Sequence, residues 1–145
     1  MIMQEGAGNT MPGTGLIVLA AGMGTRMKSA TPKVLHKIAN RTLLGHVLHT
    51  GVALSPDRVA VVVGPDMPEV TAEARRFMPD CVVAEQRDRK GTAHAVSMAA
   101  DSFRSFNGVI IVLYGDCPLV RAASLDSLVE QTRNGSDAVI LAFRA

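Results

Sequence analysis

Three short clusters in this 145-residue chain combine residue types that could do chemistry. The first is Gly22-Met23-Gly24-Thr25-Arg26, which follows the apolar run Leu16–Ala20. Glycines allow positive φ and let backbone N–H groups approach an anion closely. Arg26 can bind phosphate as a fork and Lys33 as a point charge, with Lys28 and Lys37 nearby. The loop is neither common nucleotide fingerprint. Position 27 is Met rather than the third Gly of G-x-G-x-x-G, and the Gly-Lys-Ser/Thr of a Walker A loop is absent. A tight turn with solvated cations explains this cluster, taken alone, equally well.

The second cluster is Gln86–Ala95, QRDRKGTAHA. Gly91-Thr92 opens a helix, and Gln86 offers a donor and an acceptor suited to a base edge. Arg87, Arg89 and Lys90 read as a solvated loop. His94 falls in the first helical turn; as a base it would need a carboxylate to orient it, and none can be named, so it reads as structural. The third is Tyr114-Gly115-Asp116-Cys117-Pro118-Leu119. An acid just past an apolar strand could hold Mg²⁺, which takes one or two carboxylates plus phosphate oxygens. Asp116 is alternatively a plain turn residue. Cys117 has no nearby base and reads as a packing residue. Together, backbone donors, two cations, a base reader and a metal carboxylate are the equipment for nucleotidyl transfer.

The elements that must position these clusters are read from periodicity. Leu16–Ala20, Val59–Val63, Cys81–Ala84, Val109–Leu113 and Ala138–Phe143 read as strands. Helices are expected at Thr42–Ala53, with Leu43, Leu44, Val47 and Leu48 as its stripe, at Thr92–Arg104 and at Ser124–Arg133. Another should start with Asp66 as cap, Pro68 in the first turn and Glu69 closing a capping box; Val70, Ala74 and Phe77 face inward and Pro79 stops it. His46 and His49 are spaced for a shared face but have no third metal ligand in view. Strands apolar throughout, with helices between, imply a parallel sheet buried on both sides. The expected fold is a three-layer α/β/α sandwich, a Rossmann-like, mostly parallel sheet that binds ligands at its strands' carboxyl ends.

Composition narrows the function further. Apolar residues make up 48% of the chain and aromatics only 3%, so the core must be aliphatic. A net charge of +2 and few aromatics give no nucleic-acid surface. No apolar run is long enough to span a bilayer, and no signal peptide is seen, so neither a membrane nor export is expected. Cys81 and Cys117 sit by apolar runs, as expected of reduced thiols in a cytoplasmic protein. Residues 1–14 read as a flexible leader and 15–145 as the nucleotide-binding part. A chain ending directly on a strand reads as the front part of a longer protein.

The stretch LAAGMGTRMKSATPKVLH resembles the signature of sugar-nucleotide pyrophosphorylases. The likeness is closest to the uridyltransferase domain of the bacterial bifunctional N-acetylglucosamine-1-phosphate uridyltransferase/glucosamine-1-phosphate acetyltransferases. GTAHAV and LYGDCPL resemble the second and third motifs of that family, in order. The resemblance implies that Leu19, Ala20, Ala21, Gly22 and Gly24 line the nucleotide. It implies that Gln86, Gly91 and Thr92 read and support uracil, and that Arg26 and Lys33 hold the triphosphate as the catalytic cations. Tyr114 and Gly115 would reach the ribose and sugar region, with Asp116 a Mg²⁺ ligand.

The implied reaction joins UTP and N-acetylglucosamine 1-phosphate to give UDP-N-acetylglucosamine, a peptidoglycan precursor, and pyrophosphate. Its nucleophile is an ionised phosphate oxygen, which needs no general base. Asn40 and Thr42 depart from the Gly and Pro often found there in the family. The family's later sugar-binding segments, second metal ligand and trimerising acetyltransferase β-helix are not in these residues, so no acetyl transfer is expected. Two other readings stand beside this one: a nucleotidyltransferase of the same fold using CTP or GTP, and a non-catalytic nucleotide-binding fragment.

Overall fold

The computed structural model describes residues 12–24, 27, 29–88 and 90–142. β1 (Gly13–Leu19) runs down the middle of a four-stranded sheet with β4 (Arg58–Val63), β5 (Val82–Glu85) and β6 (Gly108–Tyr114). The strand order is β5-β4-β1-β6, and every pairing is parallel. The chain therefore builds outwards from β1 on one side, then crosses back to lay β6 on the other. That reversal puts a topological switch point between the carboxyl ends of β1 and β6. A two-residue hairpin, β2 (Lys37–Ile38) and β3 (Arg41–Thr42), precedes α1 (Leu43–Val52). Ala39 and Asn40 at its tip both have positive φ, 49° and 63°. A two-residue loop of this hand requires that, and Asn accepts it more readily than most residues. Asn40 thus does what a glycine would do there.

Alternation along β1 divides the core. Leu16 and Val18 point to one side, where they meet Leu44, Val47 and Leu48 of α1. Val70 and Ala74 of α2 (Pro68–Phe77) and Leu125 and Val129 of α4 (Ala122–Arg133) complete that layer. Ile17 points the other way, joining Ala60 and Val62 under Ala95 and Ala99. This second layer is thin: α3 (Thr92–Met98) followed by a 3-10 turn, Ala100–Phe103. The expected single helix over Thr92–Arg104 therefore tightens after Ala99. The tighter turn seats the Phe103 ring over Gly15, where an added Cβ would lie 2.6 Å from it.

Four expectations are corrected. β6 was expected to be buried on both faces; Ile111 and Leu113 are, but Ile110, Val112 and Tyr114 are exposed, because α3 covers only β1 and β4 on that side. Ala138–Ala142 forms no strand, and Ile140 is 86% exposed, because no strand of the sheet pairs with it; Phe143 lies outside the described residues. Asp66 does not cap α2. It takes a left-handed φ of 55°, Met67 holds the cap position without a side-chain bond, and Pro68 opens the helix as expected. β1 begins at Gly13, two residues inside the segment expected to be leader; residues 1–11 lie outside the described residues.

Among the described residues no helix is long and apolar enough to cross a membrane. His46 and His49 are not joined by a third ligand: no described cluster of three His, Cys, Asp or Glu could hold a metal, and His46 Nε2 bonds the Ile38 carbonyl at 2.8 Å.

The best-defined helix start is α1. Thr42 Oγ1 accepts from Gly45 N at 2.8 Å and donates to Glu73 Oε1 at 2.5 Å, tying α1 to α2 at a site 7% exposed. Thr42→Ala removes both bonds and should lower unfolding free energy by about 1–2 kcal/mol. Thr42→Ser should recover most of it. Urea denaturation reads the difference, and an unchanged midpoint for Thr42→Ala would refute the cap's role.

Candidate nucleotide site at the switch point

The site is assembled by the β1–β6 pairing. Leu19 pairs with Tyr114, and Gly115 N donates to the Leu19 carbonyl at 2.9 Å just beyond the last rung. Ala20 N donates to the Val62 carbonyl at 2.7 Å, so the end of β1 is held from both sides. Ala20 and Ala21 are buried, and the chain surfaces at Gly22. Gly24 has φ 61°, and an added Cβ there would lie 2.6 Å from Lys33 Cβ. Only glycine combines that φ with room for the lysine stem. Lys33 opens a short 3-10 turn, Lys33–Leu35, anchored by buried Val34.

Lys33 and Asp116, 83 residues apart in the chain, meet here. Lys33 Nζ donates to Asp116 Oδ2 at 2.6 Å, with the side chains 42% and 30% exposed. Among the described residues Asp116 Oδ1 meets only the Cys117 thiol, at 3.8 Å. The carboxylate therefore stands between a cation and solvent. A hard divalent ion that takes most of its oxygens from phosphate and water asks a protein for a carboxylate of this kind. Tyr114 is exposed beside it. Arg26, with Thr25, Lys28 and Arg89, lies outside the described residues.

Gln86 follows β5, two strands away from β1, and is 5% exposed. Its Nε2 lies 3.1 Å from the Gly91 carbonyl and 3.1 Å from His94 Nδ1. Gly91 takes φ 95°, a left-handed value that suits glycine, and Thr92 begins α3. The structure thus brings Lys33, Asp116, Gly24 and Gly115 together around β1 and β6, with Gly22 exposed in the loop just past β1. It holds Gln86, Gly91 and Thr92 in a second group at the end of β5. Sequence reasoning missed two links, the direct Lys33–Asp116 bond and the His94–Gln86 bond. A helical first turn facing back on the loop before it was the available signal for the second.

The opposite, amino end of the sheet has a hollow of about 320 Å³ lined by Gly13, Thr14, Asp57, Asp126 and Arg133 among others. Its polar groups serve the fold: Asp57 accepts from Thr14 N, and Arg133 donates to the Pro12 carbonyl and Thr14 Oγ1.

With this geometry in view, residues 16–145 match the family described as MobA-like NTP transferase domain. The chain is 46% identical over 131 residues to the bifunctional protein GlmU of Parvibaculum lavamentivorans, and 47% identical over 129 residues to that of Azorhizobium caulinodans. These matches take in 90% and 89% of this chain, which spans only 29% of the length of each relative. Among solved structures, Rv0371c of Mycobacterium tuberculosis superposes with a TM-score of 0.73 at 25% identity, over 86% of this chain and 63% of that one.

Cys117 reports on the charge balance at this site. Expected to pack, Cys117 is instead exposed in the loop past β6. Its thiol is still pushed up from the ordinary value, by desolvation first, then by the Asp116 carboxylate and its hydrogen bond, with Lys33 pulling the other way. A raised value leaves less thiolate at a given pH, and thiolate is the reactive form. Asp116→Asn removes the raising charge and leaves the lowering Lys33 in place. Alkylation of Cys117 by iodoacetamide at pH 8, followed by peptide mass spectrometry, should therefore become several-fold faster in Asp116→Asn. A slower or equal rate would contradict the carboxylate's influence.

Proposed function

The chain belongs to the MobA-like NTP transferase family, a family of nucleotidyltransferases, and from that premise we propose that it binds UTP across the carboxyl ends of β1, β6 and β5 and transfers the uridylyl group to N-acetylglucosamine 1-phosphate. The observation that carries this reading is the meeting of Lys33 and Asp116 at 2.6 Å over the switch point of a parallel sheet. Open parallel sheets bind ligands at this switch point, and it is there that a lysine and an acid from distant segments meet.

The roles divide by chemistry. A phosphate oxygen of the acceptor attacks the α-phosphorus of UTP, forming one P–O bond. The bond from the α-phosphorus to the bridging oxygen breaks, and pyrophosphate leaves with that electron pair. The nucleophile is already anionic, so the protein's part is to align it and offset charge. Lys33 would turn from Asp116 to the triphosphate, joined by Arg26. Ala20, Ala21 and Gly22, bare of bulk, would let the nucleotide lie close to the backbone, with Leu19 and Gly24 bounding it. Gln86 would read the base, while Gly91 and Thr92 support it. Tyr114 and Gly115 would face the ribose and sugar. Asp116 would hold Mg²⁺, which when bound neutralises phosphate charge and helps align the triphosphate.

Titration of the chain with UTP, CTP and GTP, with and without Mg²⁺, followed by a pyrophosphate-release assay, tests this reading. UTP should bind most tightly, and Mg²⁺ should strengthen it. Asp116→Ala should remove the Mg²⁺-dependent part of binding, whereas Lys33→Ala should weaken triphosphate binding even without metal. Each loss should be on the order of 10-fold, as for a charge-assisted contact. No binding of any nucleotide sinks the proposal, and tighter binding of CTP or GTP moves it to another base. Binding of UTP without turnover makes the chain a nucleotide-binding unit, and equal losses for both variants in both conditions remove the division of roles.

A further inference from the structure

The amide of Gln86 has two possible faces to show a ligand, and they read opposite patterns. With oxygen outward it accepts; with nitrogen outward it donates. Its direction is set inside the protein. The Gly91 carbonyl can only accept, so the group 3.1 Å from it must be the amide NH₂. That NH₂ has two hydrogens, and its second neighbour is His94 Nδ1, also at 3.1 Å. For this second bond to form, Nδ1 must carry a lone pair, which places the ring proton on Nε2. Both hydrogens of the Gln86 amide are then committed inward. Among the described residues Oε1 accepts no hydrogen bond; both recorded side-chain bonds of Gln86 run through Nε2.

We propose that His94 is a positioning residue for base selection: by accepting from Gln86 Nε2 it holds the amide with its oxygen outward, so that the site takes a base bearing an N–H at the ring position that faces it. This inference rests on the reading of Gln86 as the base-facing residue. Uracil presents N3–H, flanked by two carbonyls, and its N3–H can donate to Oε1. Cytosine presents an unprotonated N3 at the same place, and two lone pairs would then oppose each other. A flipped amide would reverse the preference. The neutral imidazole therefore acts on selectivity without touching the nucleotide.

Three features make this more than a packing contact. Gln86 is 5% exposed and its backbone N–H is fixed by the Val63 carbonyl at 2.8 Å, so the side chain has little freedom except rotation of the amide. Gly91 serves both as the N-cap of α3, accepting from Ala95 N at 3.1 Å, and as the first acceptor of the Gln86 amide. His94 rides in the first turn of the same helix, so both acceptors move as one body.

The test compares UTP and CTP affinities of the full chain by calorimetry in the wild type, His94→Ala and His94→Asn. Asn places Oδ1 where His has Nδ1 and so keeps an acceptor. The UTP-over-CTP ratio should fall roughly 3- to 10-fold in His94→Ala, the range one neutral hydrogen bond spans, and return in His94→Asn. Long-range ¹H–¹⁵N correlation spectra of the wild type should show His94 neutral with its proton on Nε2. A wild type that binds neither nucleotide, or both equally, overturns the uridine reading and this inference together. A wild-type preference kept in full by His94→Ala, or a proton on Nδ1, overturns the inference alone. Should His94→Ala not fold, the tautomer measured in the wild type decides the matter.

Discussion

The parallel pairing of β1 with β6 is the constraint on which the site depends. Seven rungs, from Gly13 opposite Gly108 to Leu19 opposite Tyr114, join segments that are far apart in the chain. Because the register is complete to the last residue, the two loops that follow leave the sheet at one level. The Gly115 N–H to Leu19 carbonyl bond extends the register one step beyond the strands. Lys33 and Asp116 meet because that register holds. A slip of one residue would turn every side chain of β6 to the other face. Ile111 and Leu113 would leave the core, and the acid would leave the cation with them.

The second group, at the end of β5, has a different physical character. Around β1 and β6 the chemistry is ionic and partly open to water. Around Gln86 it is neutral, hydrogen-bonded and buried. A nucleotide has the same division, with a charged phosphate tail and a neutral base. In the proposed binding mode each half of the ligand would lie against the half of the sheet edge that matches it. Charged contacts supply most of the attraction in such an arrangement, while a small buried set of neutral bonds, costly to leave unmade, supplies the choice among bases.

Much of this was legible in the chain itself, for reasons that particular residues show. Leu16–Val18 and Val59–Val63 are wholly apolar because they are central strands, and centrality leaves that mark on a sequence. Gln86 and Asp116 stood out because each comes just after an apolar run, and Lys33 because it closes the cationic stretch after the glycines; the fold brings Lys33 to Asp116. Val109–Leu113 was misleading for the same reason. It is as apolar as a central strand, yet half of it faces outward, since burial depends on the neighbour and not on the strand. Ala138–Ala142 likewise has the composition of a strand but no partner to make it one. Asp66 had the right offset for a cap, yet it takes a left-handed backbone and the helix starts one residue later, with Met67 at the cap position. The direction of the Gln86 amide was beyond any sequence pattern, because it is decided by two acceptors that only the folded turn brings together.

Lys33 is held at both ends. Its stem fills the space that a side chain on Gly24 would occupy, and its ammonium rests on Asp116. A lysine on an open surface keeps about 2 kcal/mol of rotamer entropy, part of which is surrendered when it grips an anion. Here much of that disorder is already gone in the folded chain. The loss falls on folding, where the whole core can offset it, and in the proposed binding mode the ammonium would swing only from Asp116 to a phosphate. In that mode the glycine at position 24 would serve binding through entropy as much as through space.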